Sequence, residues 1–330
     1  MEAGTLRARG GPAIDERSSR SRALDPLLRW VLTGLAGLIL VLIGFFFIRL
    51  FVEAKPAFDK FGYIGFVFDN NWDVSKEIFG AWPLVVGTLI TSAIALVIGV
   101  PVAISTALYV SELCPMRVRQ PLTMLIELLA AVPSVVYGLW GIIVLAPKLQ
   151  PAEQWFSDKL SFLPLVGGPV SIPNCFIAGL IMAIMILPIV SSISREVMAT
   201  VPAQDKEAAL ALGATRWEMI RIAVLPYSRA GISGAAMLGL GRAIGETIAV
   251  TIVIGNAPNV PQSIFSQGYT LAAVIANEFN EAASDPTHRA ALIAAGLVLF
   301  VLTLFVNAIA RYYVNRASRG KRTVPTGMAG

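Results

Sequence analysis

Arg242 and Glu246 stand where charge is costly. They lie in GISGAAMLGLGRAIGETIAVTIVIG, residues 231–255, which carries no other charge. Read as one helix, the i,i+4 spacing places them on one face, close enough to pair. Within hydrocarbon, each must face a protein interior or an aqueous route. Three readings fit: an ion pair that fixes helix packing, a charge-gating pair on the path of a charged solute, or a register in which one group snorkels to an interface. Glu127, six residues before Pro133, and Tyr137 are further polar groups in an apolar run. Glu127 can pair with a basic group or meet water at one end of its span, a lesser candidate for gating. The Tyr137 hydroxyl can line a route and is equally at home between helices.

A second concentration of chemistry is REVMATVPAQDKEAALALGATRWEMIRIAVLPYSR, residues 195–229. Glu207-Ala208-Ala209-Leu210-Ala211-Leu212 favours helix strongly, and Gly213 ends or bends it. Trp217, Ile220 and Val224 recur at helical spacing in the next stretch, and Pro226 closes it. The segment reads as two short helices joined by a glycine bend. It either covers the end of a bundle or docks a partner, the small alanine face permitting close approach and Asp205, Lys206 and Glu207 setting polar register. Metal chemistry finds no support in two distant cysteines, Cys114 and Cys175, and the single His288. The inferred topology puts the cysteines on opposite sides of the membrane, which excludes a mutual disulfide. No P-loop or dinucleotide fingerprint occurs, and no inward-facing His/Ser/Asp constellation suggests an enzyme.

The elements that must position these residues follow from composition. Of 330 residues, 56% are apolar and 14% charged, against about 25% charged in soluble proteins; mean hydropathy is +0.71. An ordinary soluble enzyme is excluded. A helix needs about 20 apolar residues to cross hydrocarbon, and the uncharged runs predict six spans: 28–51, 83–110, 121–146, 174–198, 229–255 and 290–313. Pro133 and Pro188 should kink the third and fourth. Small residues four apart, Ala235 with Gly239 and Gly241 with Gly245, should let a neighbouring helix approach the fifth, a pattern Gly231 and Gly234 extend.

With residue 1 inside, the inner segments hold eighteen Lys and Arg and the outer segments six, so both termini read as cytoplasmic. That distribution also accounts for the net charge of +5 without nucleic acid. The first span is too long for a signal core and lacks a convincing cleavage site, so it reads as a retained anchor. Residues 1–27 read as a disordered cytoplasmic tail, 28–313 as the transmembrane domain with a loop at 199–228, and 314–330 as a basic cytoplasmic tail.

The pattern Glu207-Ala208-Ala209, three residues, Gly213, nine residues, Ala223, one residue, Leu225-Pro226 resembles the EAA signature of bacterial ABC importer permeases. Ala223 stands where that family usually has a bulkier apolar residue. The string Gly241-Arg242-Ala243-Ile244-Gly245-Glu246-Thr247 resembles the phosphate-specific permeases. The long 53–82 loop and Pro133-Ser134-Val135-Val136-Tyr137-Gly138 resemble their PstC-type subunits.

The resemblance, covering residues 28–313, implies an all-α, six-span MetI-like bundle whose 199–228 loop is a coupling helix for an ATP-binding subunit. Asp205, Glu207, Ala208, Ala209 and Gly213 would serve that docking, while Arg242, Glu246, Glu127 and Tyr137 would serve the route. The chain itself would be no enzyme and bind no cofactor, with ATP and Mg used by the partner ATPase. Implied partners are a PstA-like second permease, a homodimeric ATP-binding subunit and a periplasmic phosphate-binding protein. The expected activity is ATP-driven phosphate import across a bacterial inner membrane by alternating access. The alternatives are another oxyanion such as sulfate or molybdate, a secondary transporter or channel, and a regulatory subunit that carries nothing.

Overall fold

The computed structural model describes residues 19–163 and 165–319. Among these the regular secondary structure is helical apart from one short hairpin, with irregular connections at 160–174 and 254–270. It divides into two units, 1–52 and 53–330. The disorder expected for the N-terminal tail lies outside the described residues up to 18; from Ser19 onward the chain is helical. The end of the basic C-terminal tail, 320–330, also lies outside them. Helix α1 runs Ser19–Phe61 and contains the first expected span.

In the second unit, α2 (Tyr63–Phe68) leads into strands β1 (Trp72–Asp73) and β2 (Ile78–Phe79), antiparallel with Trp72 opposite Phe79. Helix α3 (Trp82–Leu108) ends in a π-type turn, Tyr109–Leu113. Then come α4 (Met116–Ala131), α5 (Ser134–Trp140), a second π-type turn at Gly141–Leu145, and α6 (Ala146–Lys159). Helix α7 (Cys175–Ala199) is the most buried, capped by the Asn174 side chain accepting from the Ile177 amide at 2.9 Å. The 199–228 segment forms α8 (Ala203–Ala211), α9 (Arg216–Met219) and a π-type turn at Ile220–Val224. Helices α10 (Leu225–Gly245), α11 (Ile248–Val253), α12 (Leu271–Glu278) and α13 (Pro286–Arg319) complete it.

Five of the described helices are long and apolar enough to cross a membrane. The stretch expected as a continuous fifth span, 229–255, is divided: α10 stops at Gly245 and α11 starts at Ile248. Pro133 does more than kink its span. Helix α4 ends at Ala131 and Val132 is extended, because proline disfavours helical geometry in the residue before it. The long apolar helix is Ser134–Lys159, reaching well beyond residue 146. Pro188, by contrast, lies within an uninterrupted α7.

The core is α7 packed between α3 and α10, lined by Ile177, Ile181, Met182, Ile186 and Val190. Small residues set the separations, as expected for association without a hydrophobic driving force between helices. A Cβ on Gly239 would stand 2.7 Å from a Val190 methyl, and one on Gly231 would stand 2.4 Å from Val197. Ala235, between them on α10, is fully buried. Gly234, Gly241 and Gly245 are different: a Cβ there meets nothing within 4 Å. Only the first set of glycines brings α10 close to a helix of its own chain.

Candidate translocation and coupling sites

The Arg242–Glu246 pair expected from spacing does not form. Among the described residues no ion pair joins them. Glu246 lies beyond the last turn of α10 in extended backbone, φ −69° and ψ 127°. The i,i+4 face exists only while the helix continues, and this one ends between Gly245 and Thr247. The freed carboxylate turns to the next helix, where Oε1 accepts from the Ala249 amide at 3.4 Å. An acidic group there satisfies a donor that the first turn of α11 leaves open. Arg242 is exposed on the last turn of α10.

Tyr137 is nearly buried and donates to the Leu129 carbonyl at 2.7 Å. That bond bridges the break at Val132–Pro133 and satisfies one carbonyl at the end of α4. Helix α5 lies directly on α11: a Cβ on Gly138 would stand 3.1 Å from the Ala249 Cα. Two broken helices thus meet side by side, with Arg242, Glu246 and Tyr137 at or beside the breaks. Interrupted helices expose backbone groups that continuous ones consume, which is why they recur at solute sites in membranes.

Glu127 belongs elsewhere. Its carboxylate pairs with Arg195 of α7 at 3.4 Å, and Arg195 also bonds the Thr123 hydroxyl. These groups, with Ala107, Val110 and Ser191, line a cavity of about 10 Å³, room for roughly one water. The sequence expectation that Glu127 pairs with a basic group holds; that the group is Arg195, 68 residues away, has no local sequence signal.

The 199–228 segment, expected to dock an ATP-binding subunit, has the two-helix form its sequence predicts. Gly213 joins them at φ +86°, a left-handed conformation that costs other residues energy. Helix α9 opens with a capping box: the Glu218 amide donates to Thr215 Oγ1 at 3.3 Å and Glu218 Oε2 accepts from the Thr215 amide at 2.7 Å. The Thr215 amide and hydroxyl, both donating to the carboxylate, lower the Glu218 pKa. Helix α8 buries none of its residues. Asp205, Glu207, Ala208 and Gly213 are exposed, as are Leu212 and Trp217, whereas Ala209 is half-buried against Met198, Met219 and Ile220. Helix α8 therefore presents a mixed polar and apolar surface, and Ala209 packs on the cluster that Met219, Ile220 and Val224 form with Ala107 and Met198. Lys206 points the other way and reaches Glu112 at 2.7 Å, a contact the sequence reading missed.

At the far end of α3, Glu278 Oε2 receives the Trp72 indole N–H at 3.0 Å and lies 2.9 Å from His288 Nε2. His288 stacks on Phe79 at 5.2 Å between centroids. His288, outside any metal cluster, has a structural place: it is buried and ties the hairpin to α12 and α13. Tyr269 is buried nearby, donates no proton readily because desolvation raises its pKa, and accepts from Asn277 Nδ2 at 3.0 Å.

Residues 99–319 match the family model described as "binding-protein-dependent transport system inner membrane component". The chain is 43% identical to the phosphate transport system permease protein PstC of Mesorhizobium japonicum, covering 92% of this chain and 95% of that one. It is 39% identical to the PstC of Haemophilus influenzae, covering 90% and 95%. It is 42% identical to PstC 2 of Mycobacterium tuberculosis, covering 91% and 94%. Among solved structures, a bacterial ABC transporter involved in import of the acidic polysaccharide alginate matches with a TM-score of 0.56 at 18% identity, covering 92% of this chain and all of that one. An alginate ABC transporter in complex with a pentasaccharide-bound periplasmic protein matches at 0.58 and 20%, covering 91% and 98%. Those two likenesses concern the fold. With its helical fold and its sequence relatives in agreement, the chain belongs to the binding-protein-dependent inner-membrane transport components, within the PstC group of ABC permeases.

Proposed function

We propose that this chain is the permease subunit through which an ATP-driven importer moves inorganic phosphate across a bacterial inner membrane. The observation that carries the reading is Arg242, exposed beside two broken helices, in a chain 43% identical to a named phosphate permease over nearly its whole length. A guanidinium matches the geometry of a tetrahedral oxyanion and stays charged at any working pH. With no ion-pair partner among the described residues, Arg242 keeps donors for such an anion. Glu246, engaged with the Ala249 amide, places negative charge near the route without neutralising the arginine. That arrangement suits transient attraction, since a carried solute must also leave.

The chain is not itself catalytic in this reading. ATP and Mg are handled by a homodimeric ATP-binding subunit docked on α8, with Glu207 making polar contacts, Ala208 allowing close approach and Gly213 making the bend. The excess of basic residues in the inner segments supports cytoplasmic termini. A PstA-like second permease faces this one, and a periplasmic phosphate-binding protein delivers the anion to the end carrying the 62–81 and 255–270 segments. Closure of the ATP-binding subunits moves the coupling segment, and the bundle switches its opening.

The test is uptake of labelled phosphate by vesicles holding the full complex, with ATP and binding protein, against competing sulfate and molybdate. Phosphate uptake unaffected by excess sulfate or molybdate supports the reading. Equal competition by sulfate replaces phosphate with a broader oxyanion class, and uptake without ATP removes the importer.

A further inference from the structure

The coupling segment meets the membrane helices through an ion pair that the proposed function leaves unused. Lys206 of α8 donates to Glu112 Oε1 at 2.7 Å across 94 positions of sequence. The Glu112 side chain is 7% exposed and that of Lys206 21%, so the pair sits largely out of water. Glu112 occupies the π-type turn that ends α3, a distortion that often marks functional positions. Its Oε1 also receives the Ser111 hydroxyl at 3.0 Å, and Arg119 of α4 donates to the Ser111 carbonyl at 2.8 Å. The carboxylate is thus held from behind and presented to Lys206.

Helix α3 is equally engaged at its other end. The Leu271 amide, at the start of α12, donates to Thr88 Oγ1 at 3.1 Å. A Cβ on the neighbouring Gly87 would stand 2.2 Å from the Tyr269 carbonyl oxygen, so these backbones are in direct contact. The 27 residues of α3 rise about 40 Å, longer than the hydrocarbon layer is thick. One continuous element therefore joins the coupling helix to the segment feeding α12.

We propose that the Lys206–Glu112 ion pair is the hitch through which α8 moves α3, and that α3 carries the displacement to its contact with Leu271. Both are positioning residues; neither touches the solute. The proposal rests on the importer reading above. The coupling segment also packs on α3 through an apolar cluster, in which Met219, Ile220 and Val224 meet Ala107 and Ala209 is partly covered. Apolar contacts can slide, whereas separating a desolvated charge pair leaves a buried carboxylate uncompensated, so the short charge-assisted bond is the stiffer link.

The experiment uses the full complex in vesicles with Lys206→Met, Glu112→Gln and the exchanged pair Glu112→Lys/Lys206→Glu. Two readouts are taken: labelled phosphate moved per ATP hydrolysed, and stimulation of ATP hydrolysis by the binding protein. Each single variant should still co-purify with the ATP-binding subunit and hydrolyse ATP. Both readouts should fall by about tenfold, within the usual range of coupling between sites, and the exchanged pair should restore most of the loss. Unchanged readouts in both single variants overturn the hitch. If single variants fail to assemble, the exchanged pair decides. Recovery of assembly and coupling together supports the proposal; recovery of assembly alone, or of neither, overturns it. A wild-type complex that moves no phosphate fails the importer reading, and stimulation of ATP hydrolysis then still tests the hitch.

Discussion

The Tyr137 hydroxyl donates to the Leu129 carbonyl at 2.7 Å across the break at Val132–Pro133. The bond closes a gap of eight residues where proline prevents the helix from continuing. Tyr137→Phe keeps the ring and removes only this bond. It should lower thermal stability of the purified chain by about 1 kcal/mol and reduce phosphate uptake. A melting temperature and uptake rate both equal to wild type would remove the bond from the architecture of the route.

Arg242→Gln should abolish ATP-driven phosphate uptake while co-purification with the ATP-binding subunit persists, because Arg242 is exposed on α10 and supports no packing. Glu246→Gln should have a milder effect, since glutamine also presents an oxygen to the Ala249 amide. Uptake assays on vesicles measure both. An Arg242→Gln complex that still imports phosphate would falsify the assignment.

Gly213→Val forces a β-branched residue into φ +86°, at a cost of at least about 1–2 kcal/mol. Nothing lies within 4 Å of the added Cβ, so the whole cost falls on the bend and not on the bundle. Co-purification with the ATP-binding subunit should weaken while the chain's melting temperature stays close to wild type. Undiminished co-purification and normal ATP turnover would show that the bend does not set docking.

The glycines of α10 should sort into two groups. Gly239→Val drives a branched side chain into Val190 and should destabilise the isolated chain by about 1–3 kcal/mol or more. Gly241→Ala adds a Cβ with nothing near it and should leave the isolated chain unchanged. Thermal melts of the purified chain separate the two, and equal losses would contradict the packing of α10 on α7.

The capping box at Thr215 and Glu218 carries a pH signature. The Thr215 amide and hydroxyl depress the Glu218 pKa, so its contribution is present above the usual glutamate value and lost as pH falls through the depressed one. Amide protection at 216–219, corrected for intrinsic exchange, should hold at neutral pH and drop in acid. Thr215→Ala should flatten that dependence; an unchanged acid response would place its origin elsewhere.

The sequence by itself determined the membrane class, the two short helices of the 199–228 segment and the glycine bend between them, because each depends on local pattern. A run of apolar residues forms a helix wherever it sits, and Gly213 is needed wherever the chain turns left-handed. The spacing of Arg242 and Glu246 was equally legible, but its consequence was not. Spacing yields an i,i+4 face only if the helix continues, and the backbone turns at Glu246, where packing of α11 on α5 and a new cap outweigh one more turn. The pairs Glu127–Arg195, Lys206–Glu112 and Glu278–His288 were settled by tertiary structure. In the first two, the partner comes from a distant helix; in the third, ten residues separate the partners across a turn between α12 and α13. Lys206–Glu112 and Glu278–His288 are largely buried, and in all three pairs chain spacing alone carries no record of which partner a side chain meets in three dimensions.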